Sequence, residues 1–515
     1  MTGDAPFASP ALPTPLATLT TAVPDGPVAV VRWRRRDGAD SADGTSDETT
    51  ETAASATDDG GGAVEGAPPG WRPSAGSVAA LPGPAPAQWL VGVGEGRPRD
   101  WRAAGAAAVR ALRDAPGAAV GAGDGPRVAT LAPARPEDLP GTADDWASLA
   151  LGVVLGSHRF AIRSEAPARL SVHLDVPAEH HETVERAVEL ATATARARDL
   201  ADTPSGTKSP DWFATTATDL VADARGLEVT VRDETWLAEH GFGGVLAVGG
   251  GSSRPPRFLE LRWSPGQAAP DAGHVVLVGK GITFDTGGIS IKPNAGMADM
   301  RTDCSGGAAV VAAMRAVARL GVPVRVTGLV PLAENHVSGS AYRPGDVVRH
   351  RGGTTSEVTN TDAEGRMVLA DAIAFALEEL APDVVVDVAT LTGAMKVALG
   401  VRTGGVFASS PDLRTAIVDA GAAVGEAWWP MPLSAHLDSD VDSTIADVRQ
   451  APPGPGGIAA ALFLRRFTDG RPWVHLDIAG PARCDSPHEE VAKGATGFAT
   501  RTLVEFCAAR GLRPT

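Results

Sequence analysis

The sequence predicts an α/β protein with two domains, and three observations support this prediction. The chain has 515 residues, which is enough for two domains with complete hydrophobic cores. Short apolar runs of strand length alternate with longer amphipathic segments along most of the chain, a pattern typical of α/β folds. A long amphipathic helix over residues 184–200 runs into the turn sequence DTPS at residues 202–205, and we place the domain boundary there.

We therefore expect an N-terminal α/β domain over residues 1–183, a linker helix over 184–203 and a larger α/β domain over 204–515. In the first domain the predicted strands are residues 28–33, 88–91, 127–131 and 170–174, and the predicted helices are residues 101–112 and 143–155. Glycines 92, 94 and 96 follow the second strand, but their spacing is not that of a dinucleotide-binding fingerprint. A tight turn from strand to helix is the better interpretation of these glycines.

Residues 37–69 form an acidic segment with no aromatic residue and few large aliphatic residues. Such a composition cannot bury enough apolar surface to offset the entropy lost on ordering. We expect a disordered insertion in a loop, with a functional acidic tail as the alternative.

Composition excludes some classes of function. The formal net charge of −16 argues against nucleic acid or an anionic membrane surface as the main partner. The three cysteines are odd in number and show no pairing pattern, which suits a reducing compartment. No apolar run is long enough to span a membrane, and the N-terminus lacks the pattern of a signal peptide. A cytoplasmic protein is the expectation.

The larger domain continues the alternation of strands and helices. The predicted strands are residues 228–232, 258–263, 274–278, 324–331 and 383–391, and the predicted helices are residues 211–224 and 305–319, with a helical turn at 236–238 and a further helix from residue 367. Five charged side chains follow these strands or begin the helices after them: Lys280, Asp285, Asp303, Asp362 and Glu364. Such positions meet at one edge of an open α/β sheet, where ligands bind.

Clustered carboxylates without a zinc-finger set of Cys or His fit a site for two divalent cations. The four acids supply four negative charges against the four positive charges of two ions. The alternative is that Asp303 and Asp362 are helix N-caps, which explains each acid singly. It does not explain Asp, Glu and Arg at alternate positions 362, 364 and 366. Among 46 basic residues only five are lysine, and two of them, Lys280 and Lys292, lie close together; only an amine can lose its proton near a metal.

A serine or cysteine hydrolase is the poorer interpretation. No GxSxG elbow precedes a predicted helix, and Cys304 has no neighbouring histidine to activate it. We interpret His336 and His350 as spectators.

Residues 278–293 (VGKGITFDTGGISIKP) and 360–372 (NTDAEGRMVLADA) resemble the two signature stretches of the leucyl (cytosol) aminopeptidase family. Shorter segments similar to motifs of that family are PLAEN at 331–335, RPGDV at 343–347, DVATLTGA at 387–394, HLDIAGP at 475–481 and KGATGF at 493–498. The N-terminal domain resembles the family only in architecture and position.

The resemblance implies a small macro-like N-terminal α/β domain and a C-terminal domain, with a central mixed sheet flanked by helices, that binds two divalent ions, zinc or manganese. By motif, the tighter ion would be held by Lys280, Asp285, Asp303 and Glu364, and the more exchangeable ion by Asp285, Asp362 and Glu364. Lys292 and Arg366 match the family's catalytic positions. Lys292 would stabilise the oxyanion of the transition state, and Arg366 would hold a bicarbonate that shuttles the proton to the leaving amine.

The resemblance also implies a substrate. Peptides with a free N-terminus would bind beside Met300, Thr390, Leu391 and Gly393, and leucine-like residues would be removed with broad specificity. A homohexamer with active sites facing an interior cavity is expected. Two alternatives stay open: a DNA-binding accessory or regulatory protein of the same family, and a catalytically silent metal-binding scaffold. The net charge of −16 argues against the first, and the filled ligand and catalyst positions argue against the second.

Overall fold

The structure, a computed structural model, describes residues 12–14, 16–20, 29–35, 67–68, 71–81, 88–114, 127–163, 170–266 and 273–511. The acidic segment predicted over residues 37–69 lies outside these ranges except for Ala67 and Pro68. The described residues form two large sheets with flanking helices, which confirms the predicted two-domain α/β class. The exact domain boundaries stay predictions. Within the described ranges, no helix combines the length and the hydropathy needed to cross a bilayer.

The N-terminal sheet has six strands: β1 Thr18–Thr20, β2 Ala29–Arg35, β3 Val78–Leu81, β4 Gln88–Gly94, β5 Arg127–Pro133 and β6 Leu170–Leu174. Their order is β1-β6-β5-β2-β4-β3, and all neighbours are parallel except β3 and β4. The α-helices described beside this sheet are α1 Pro98–Asp114, α2 Ala143–Ser157 and α3 His181–Asp202. Helices α1 and α2 pack at close range, since a Cβ on Gly152 would lie 2.2 Å from Arg102 O.

The C-terminal sheet has nine strands: β7 Leu227–Arg232, β8 Arg257–Trp263, β9 His274–Gly279, β10 Gly281–Asp285, β11 Arg325–Asn335, β14 Val384–Ala389, β15 Thr403–Ala408, β16 Ala427–Pro430 and β18 Trp473–Asp477. Eight follow the order β16-β15-β18-β14-β9-β11-β8-β7, and β10 pairs with the far end of β11. The shorter strands are β12 Val347–Arg349, β13 Thr355–Glu357, β17 Val448–Arg449, β19 Arg483–Cys484 and β20 Gly494–Ala495. The sheet is mixed, as predicted, because β8 runs antiparallel to both β7 and β11, and β15 runs antiparallel to β18.

The α-helices described in this part of the chain are α4 Pro210–Val221, α5 Glu234–Glu239, α6 Gly243–Gly249, α7 Asn294–Met297, α8 Ser305–Arg319, α9 Glu364–Phe375, α10 Gly393–Leu399, α11 Pro411–Val424, α12 Gly456–Arg465 and α13 Thr500–Gly511. The predicted helix 305–319 is confirmed with the same bounds. Helix α9 begins at Glu364, three residues before the helix expected from residue 367, and it is buried on every side. It therefore belongs to the interior and not to an amphipathic surface layer.

Two glycines let the helices begin directly against the strand ends. A Cβ on Gly306 would lie 2.1 Å from Val388 O, so α8 can begin beside the sheet only with glycine there. A Cβ on Gly365 would lie 2.6 Å from Lys280 Cε, so a larger residue there would displace the buried side chain of that lysine. Both helices consequently bring the acids at their N-termini to one edge of the sheet.

Candidate metal centre

The candidate centre lies where four strands end and two helices begin. Asp285 is the last residue of β10, and Asn335 is its partner in register at the end of β11. Thr390 follows β14 directly, and Asp477 ends β18. Glu364 is the first residue of α9. The structure thus places residues from both signature stretches at the edge of the sheet that the sequence predicts.

Three acids form a buried cluster. Carboxylate oxygens of Asp285, Asp303 and Glu364 all lie within 4.8 Å of one another, and each of the three residues is buried. Burial raises the pKa of Asp303 well above its usual range, and the neighbouring acids add to this effect. Like charges held this closely are relieved by a neighbouring cation or by a proton on one of the acids.

Lys280 lies between two of these acids. Its Nζ is 2.8 Å from Asp303 Oδ2 and 2.9 Å from Glu364 Oε1, and it donates to Thr390 O at 2.9 Å. Burial lowers the pKa of this ammonium, but Asp303, Glu364 and Asp285 outweigh burial and hold the pKa above its usual value. Lys280 could serve as a metal ligand only after its ammonium group loses a proton, because an ammonium nitrogen has no free lone pair.

Lys292 joins the cluster to the fourth acid. Its Nζ lies 2.7 Å from Asp285 Oδ2 and also contacts Asp362 Oδ1. Burial lowers the pKa of Lys292, but the charges of Asp285 and Glu364, together with the hydrogen bonds to Asp285 and Asp362, raise it above its usual value. The Asp362 side chain is 33% exposed, whereas that of Asp285 is 2% exposed. The centre therefore has a buried side and a side that opens toward solvent.

Asn335 and Tyr342 form hydrogen bonds that hold the two signature stretches in place. Asn335 Nδ2 donates to Asp285 Oδ1 at 2.8 Å and to Thr361 O at 3.0 Å. The Tyr342 hydroxyl donates to the same carbonyl at 2.9 Å. Neither role was predicted from the sequence, although Asn335 ends the PLAEN motif. That motif was the available signal for Asn335.

Arg366 lies on the first turn of α9, two residues after Glu364, and is buried. Its Nη1 donates to Gln450 O at 2.8 Å, while its Nε has no hydrogen-bond partner among the described residues. Burial lowers the pKa of Arg366 to about 10, against the opposing charges of Glu364 and Asp477. A buried guanidinium with a free N–H is suited to a planar anion.

The predicted substrate loop lies beside the acids. Thr390 Oγ1 donates to Asp303 Oδ1 at 2.7 Å. Leu391 is half-buried, and Gly393 is exposed at the start of α10. Met300 is half-buried in a short 3-10 turn at Ala298–Thr302 that leads to Asp303. Thr390 is therefore in contact with the cluster, and the other three residues flank it along the chain.

Cys304 and the two histidines do not form a nucleophilic site. The Cys304 thiol lies 3.1 Å from Lys208 Nζ, and burial raises its pKa, which favours the neutral thiol. His350 Nδ1 bonds to Asp371 Oδ1 at 2.8 Å in the protein interior, and His336 is exposed. The structure therefore gives no support to the cysteine hydrolase interpretation of the sequence.

The donor set fits divalent metal ions. It consists of carboxylate oxygens and one amine, and Glu364 Oε2 is buried without a hydrogen-bond partner in the described structure. An unpaired buried carboxylate oxygen is costly unless a cation or donor satisfies it. Oxygen-rich sites of this kind suit manganese and also accept zinc.

Comparison with known proteins finds the same family that the sequence motifs resemble. A family model described as the catalytic domain of the cytosol aminopeptidase family matches residues 195–504. A protein of Streptomyces avermitilis described as a probable cytosol aminopeptidase is 45% identical over 452 residues, covering 84% of this chain and 86% of that protein. A protein of Rhodococcus opacus with the same description is 46% identical over 376 residues, covering 70% of this chain and 74% of that protein.

Two solved structures are similar over almost the whole chain. The bottromycin maturation enzyme BotP in complex with Mn has a TM-score of 0.80 and 38% identity, covering 94% of this chain and all (100%) of that chain. The cytosol aminopeptidase from Coxiella burnetii has a TM-score of 0.76 and 28% identity, covering 95% of this chain and 99% of that chain.

Proposed function

This chain belongs to the cytosol aminopeptidase family and is a metal-dependent exopeptidase that acts at peptide N-termini, and from that premise we propose a two-ion mechanism. One ion would be held by Lys280, Asp285, Asp303 and Glu364, and the second by Asp285, Asp362 and Glu364. The observation that carries this proposal is the buried acidic cluster, whose ligand atoms lie within 4.8 Å of one another. Manganese is supported by the Mn complex of the solved relative BotP, and zinc suits the same donors.

The ions, when bound, polarise the scissile carbonyl and lower the pKa of a water molecule. The protein supplies the remaining charge control. Lys292 places an ammonium at the open side of the centre, where it can stabilise negative charge on the carbonyl oxygen in the transition state. Arg366 would bind an anion such as bicarbonate, which carries a proton from the attacking water to the leaving amine.

The acidic centre favours a substrate with a free α-amino group over an acylated one, since an amine can bind a metal and an amide nitrogen cannot. Met300, Thr390, Leu391 and Gly393 would contact the N-terminal residue of the peptide. An apolar contact surface discriminates by only about 1–3 kcal/mol per methylene, so leucine and several other residues would be accepted.

We also propose the assembly and location that the resemblance implies. The chain would form a homohexamer in the cytoplasm, with the boundaries of its domains at residues 1–183, 184–203 and 204–515. None of the relatives named above is described as a DNA-binding protein or as a silent scaffold, so the two alternatives gain no support.

Matched substrates test the exopeptidase function. Leucine p-nitroanilide should be hydrolysed, whereas N-acetyl-leucine p-nitroanilide should not be, because its α-nitrogen is an amide. Equal hydrolysis of both substrates would contradict the proposed role of the free amino group.

A further inference from the structure

Gln450 is a buried residue that follows the short strand β17. It is 0% exposed, and it lies 84 positions after Arg366 and 88 after Asp362 in the sequence. No motif singled it out. Its side chain and its carbonyl nevertheless bond to residues 359–366, the segment that carries Asp362, Glu364 and Arg366, and its backbone N–H donates to Glu357 O at 2.9 Å.

The side-chain amide of Gln450 brackets Asp362. Oε1 accepts the backbone N–H of Thr359 at 3.2 Å and that of Asn360 at 3.1 Å. Nε2 donates to the carbonyl of Ala363 at 3.1 Å. Two N–H donors face the oxygen and a carbonyl faces the nitrogen, so this orientation of the amide alone satisfies all three groups.

The main chain of Gln450 fixes a second element of the centre. Its carbonyl accepts the hydrogen bond from Arg366 Nη1 at 2.8 Å. One buried residue thus holds the turn that presents Asp362 and, through its backbone, the guanidinium on the following helix.

We propose that Gln450 is a positioning residue for the more exchangeable metal ion and for Arg366. Asp362 needs such support because it is the most exposed of the four acids and lies on a turn that precedes α9. Asp285, Asp303 and Glu364 have other supports: the register with Asn335, the hydroxyl of Thr390 and the first turn of α9. This inference rests on the proposed two-ion function.

Three substitutions separate the roles of the amide. Gln450→Met keeps the volume and removes every side-chain hydrogen bond. Gln450→Glu keeps the acceptor but sets a carboxylate oxygen against the carbonyl of Ala363. Gln450→Asn keeps the amide on a shorter side chain. Outer-shell substitutions at metal sites cost about 10–100-fold in affinity or activity.

The test is calorimetric titration of Mn²⁺ into chelator-treated protein, together with kcat and KM for leucine p-nitroanilide. We expect Gln450→Met to weaken the second Mn²⁺ by about 10-fold or more while leaving the first unchanged, and excess Mn²⁺ to restore part of kcat. The affinity of Gln450→Asn for the second Mn²⁺ should lie between those of the wild type and Gln450→Met. If Gln450→Met does not fold, the affinity of Gln450→Asn tests the positioning role in its place. Gln88→Met, in the N-terminal sheet, is the matched control and should bind both ions as the wild type does.

Several results would overturn the inference. Equal Mn²⁺ dissociation constants and equal kcat in wild type, Gln450→Met and Gln450→Asn would overturn the positioning role of Gln450 but would leave the two-ion function intact. Equal weakening of both ions would show a general structural role instead. A single Mn²⁺ site in the wild-type protein would overturn the two-ion proposal and this inference with it.

Discussion

Asp285 and Asn335 end two parallel strands in register, and the amide of Asn335 donates to Asp285 Oδ1 at 2.8 Å. The backbone N–H of Gly287 donates to the same oxygen at 2.8 Å. The other oxygen, Oδ2, is left to face Lys292 at 2.7 Å. The strand register therefore decides which oxygen of Asp285 faces the open side of the centre.

Replacing Asn335 tests this relationship. Asn335→Leu removes the donor at similar volume, and Asn335→Asp sets a second carboxylate against Asp285. We expect kcat/KM to fall by about 10–100-fold in the first variant and further in the second, as for other outer-shell groups. Steady-state kinetics with thermal unfolding as the folding control measures this. Unchanged kinetics in Asn335→Leu would show that the hydrogen bond does not orient Asp285.

Lys292 is expected to act in turnover and not in metal retention. Lys292→Ala should lower kcat by about 100–1,000-fold, the loss typical of removing one oxyanion donor, while the bound metal measured by mass spectrometry stays the same. Lys396→Ala on the exposed face of α10 is the matched control. Loss of both ions in Lys292→Ala would mean that its role is structural.

Asp477 is expected to position the substrate loop. Its carboxylate accepts the N–H of Leu391 at 3.2 Å and both the N–H and the hydroxyl of Thr392, at 3.1 and 2.7 Å. Asp477→Asn replaces one acceptor by a donor, so we expect KM for leucine p-nitroanilide to rise more than kcat falls. A change confined to kcat would instead place Asp477 with the reacting groups.

Much of the site could be predicted because its residues lie in two continuous stretches with strong local patterns. Each stretch joins a strand end to a helix start, and such junctions meet at one sheet edge. Gln450 and Asp477 act on loops about 85–90 positions away, and no local period reports a hydrogen bond between distant segments. Their roles therefore required the folded chain.

Strand β10 and helix α6 are two of the elements that were not predicted from the sequence, and both have local explanations. Strand β10 lies in a glycine-rich stretch of residues 279–288, and it forms because β11 is long enough to offer an edge beyond β9. Helix α6, Gly243–Gly249, contains three glycines, which lower helix propensity. It forms because it packs closely against α9. Glycine is needed at this contact, since a Cβ on Gly244 would lie 2.4 Å from Met367 O.

The stability of the fold should fall in mild acid partly through His274. Its Nδ1 donates to Leu380 O at 3.3 Å, and its Nε2 shares a hydrogen bond of 2.9 Å with the Thr327 hydroxyl. Burial and the charge of Arg325 lower its pKa in the folded protein. The folded pKa is below the unfolded value of about 6.5, so this contribution is complete above that pH and is lost as the pH falls through the folded pKa.

The His274→Gln variant measures this contribution. Between about pH 7.5 and about pH 5, the unfolding free energy determined by urea unfolding should fall less in the variant than in the wild type. An identical decrease in both proteins would assign the acid sensitivity to other groups.

The most direct test of the account is hydrolysis of leucine p-nitroanilide before chelation, after exhaustive chelation and after add-back of Mn²⁺ or Zn²⁺. Because the acids of the centre cannot act without cations, chelation should abolish hydrolysis, and either ion should restore it in the wild type. The Asp362→Asn variant should need more of the ion for the same rate. Hydrolysis that survives exhaustive chelation would contradict the two-ion mechanism.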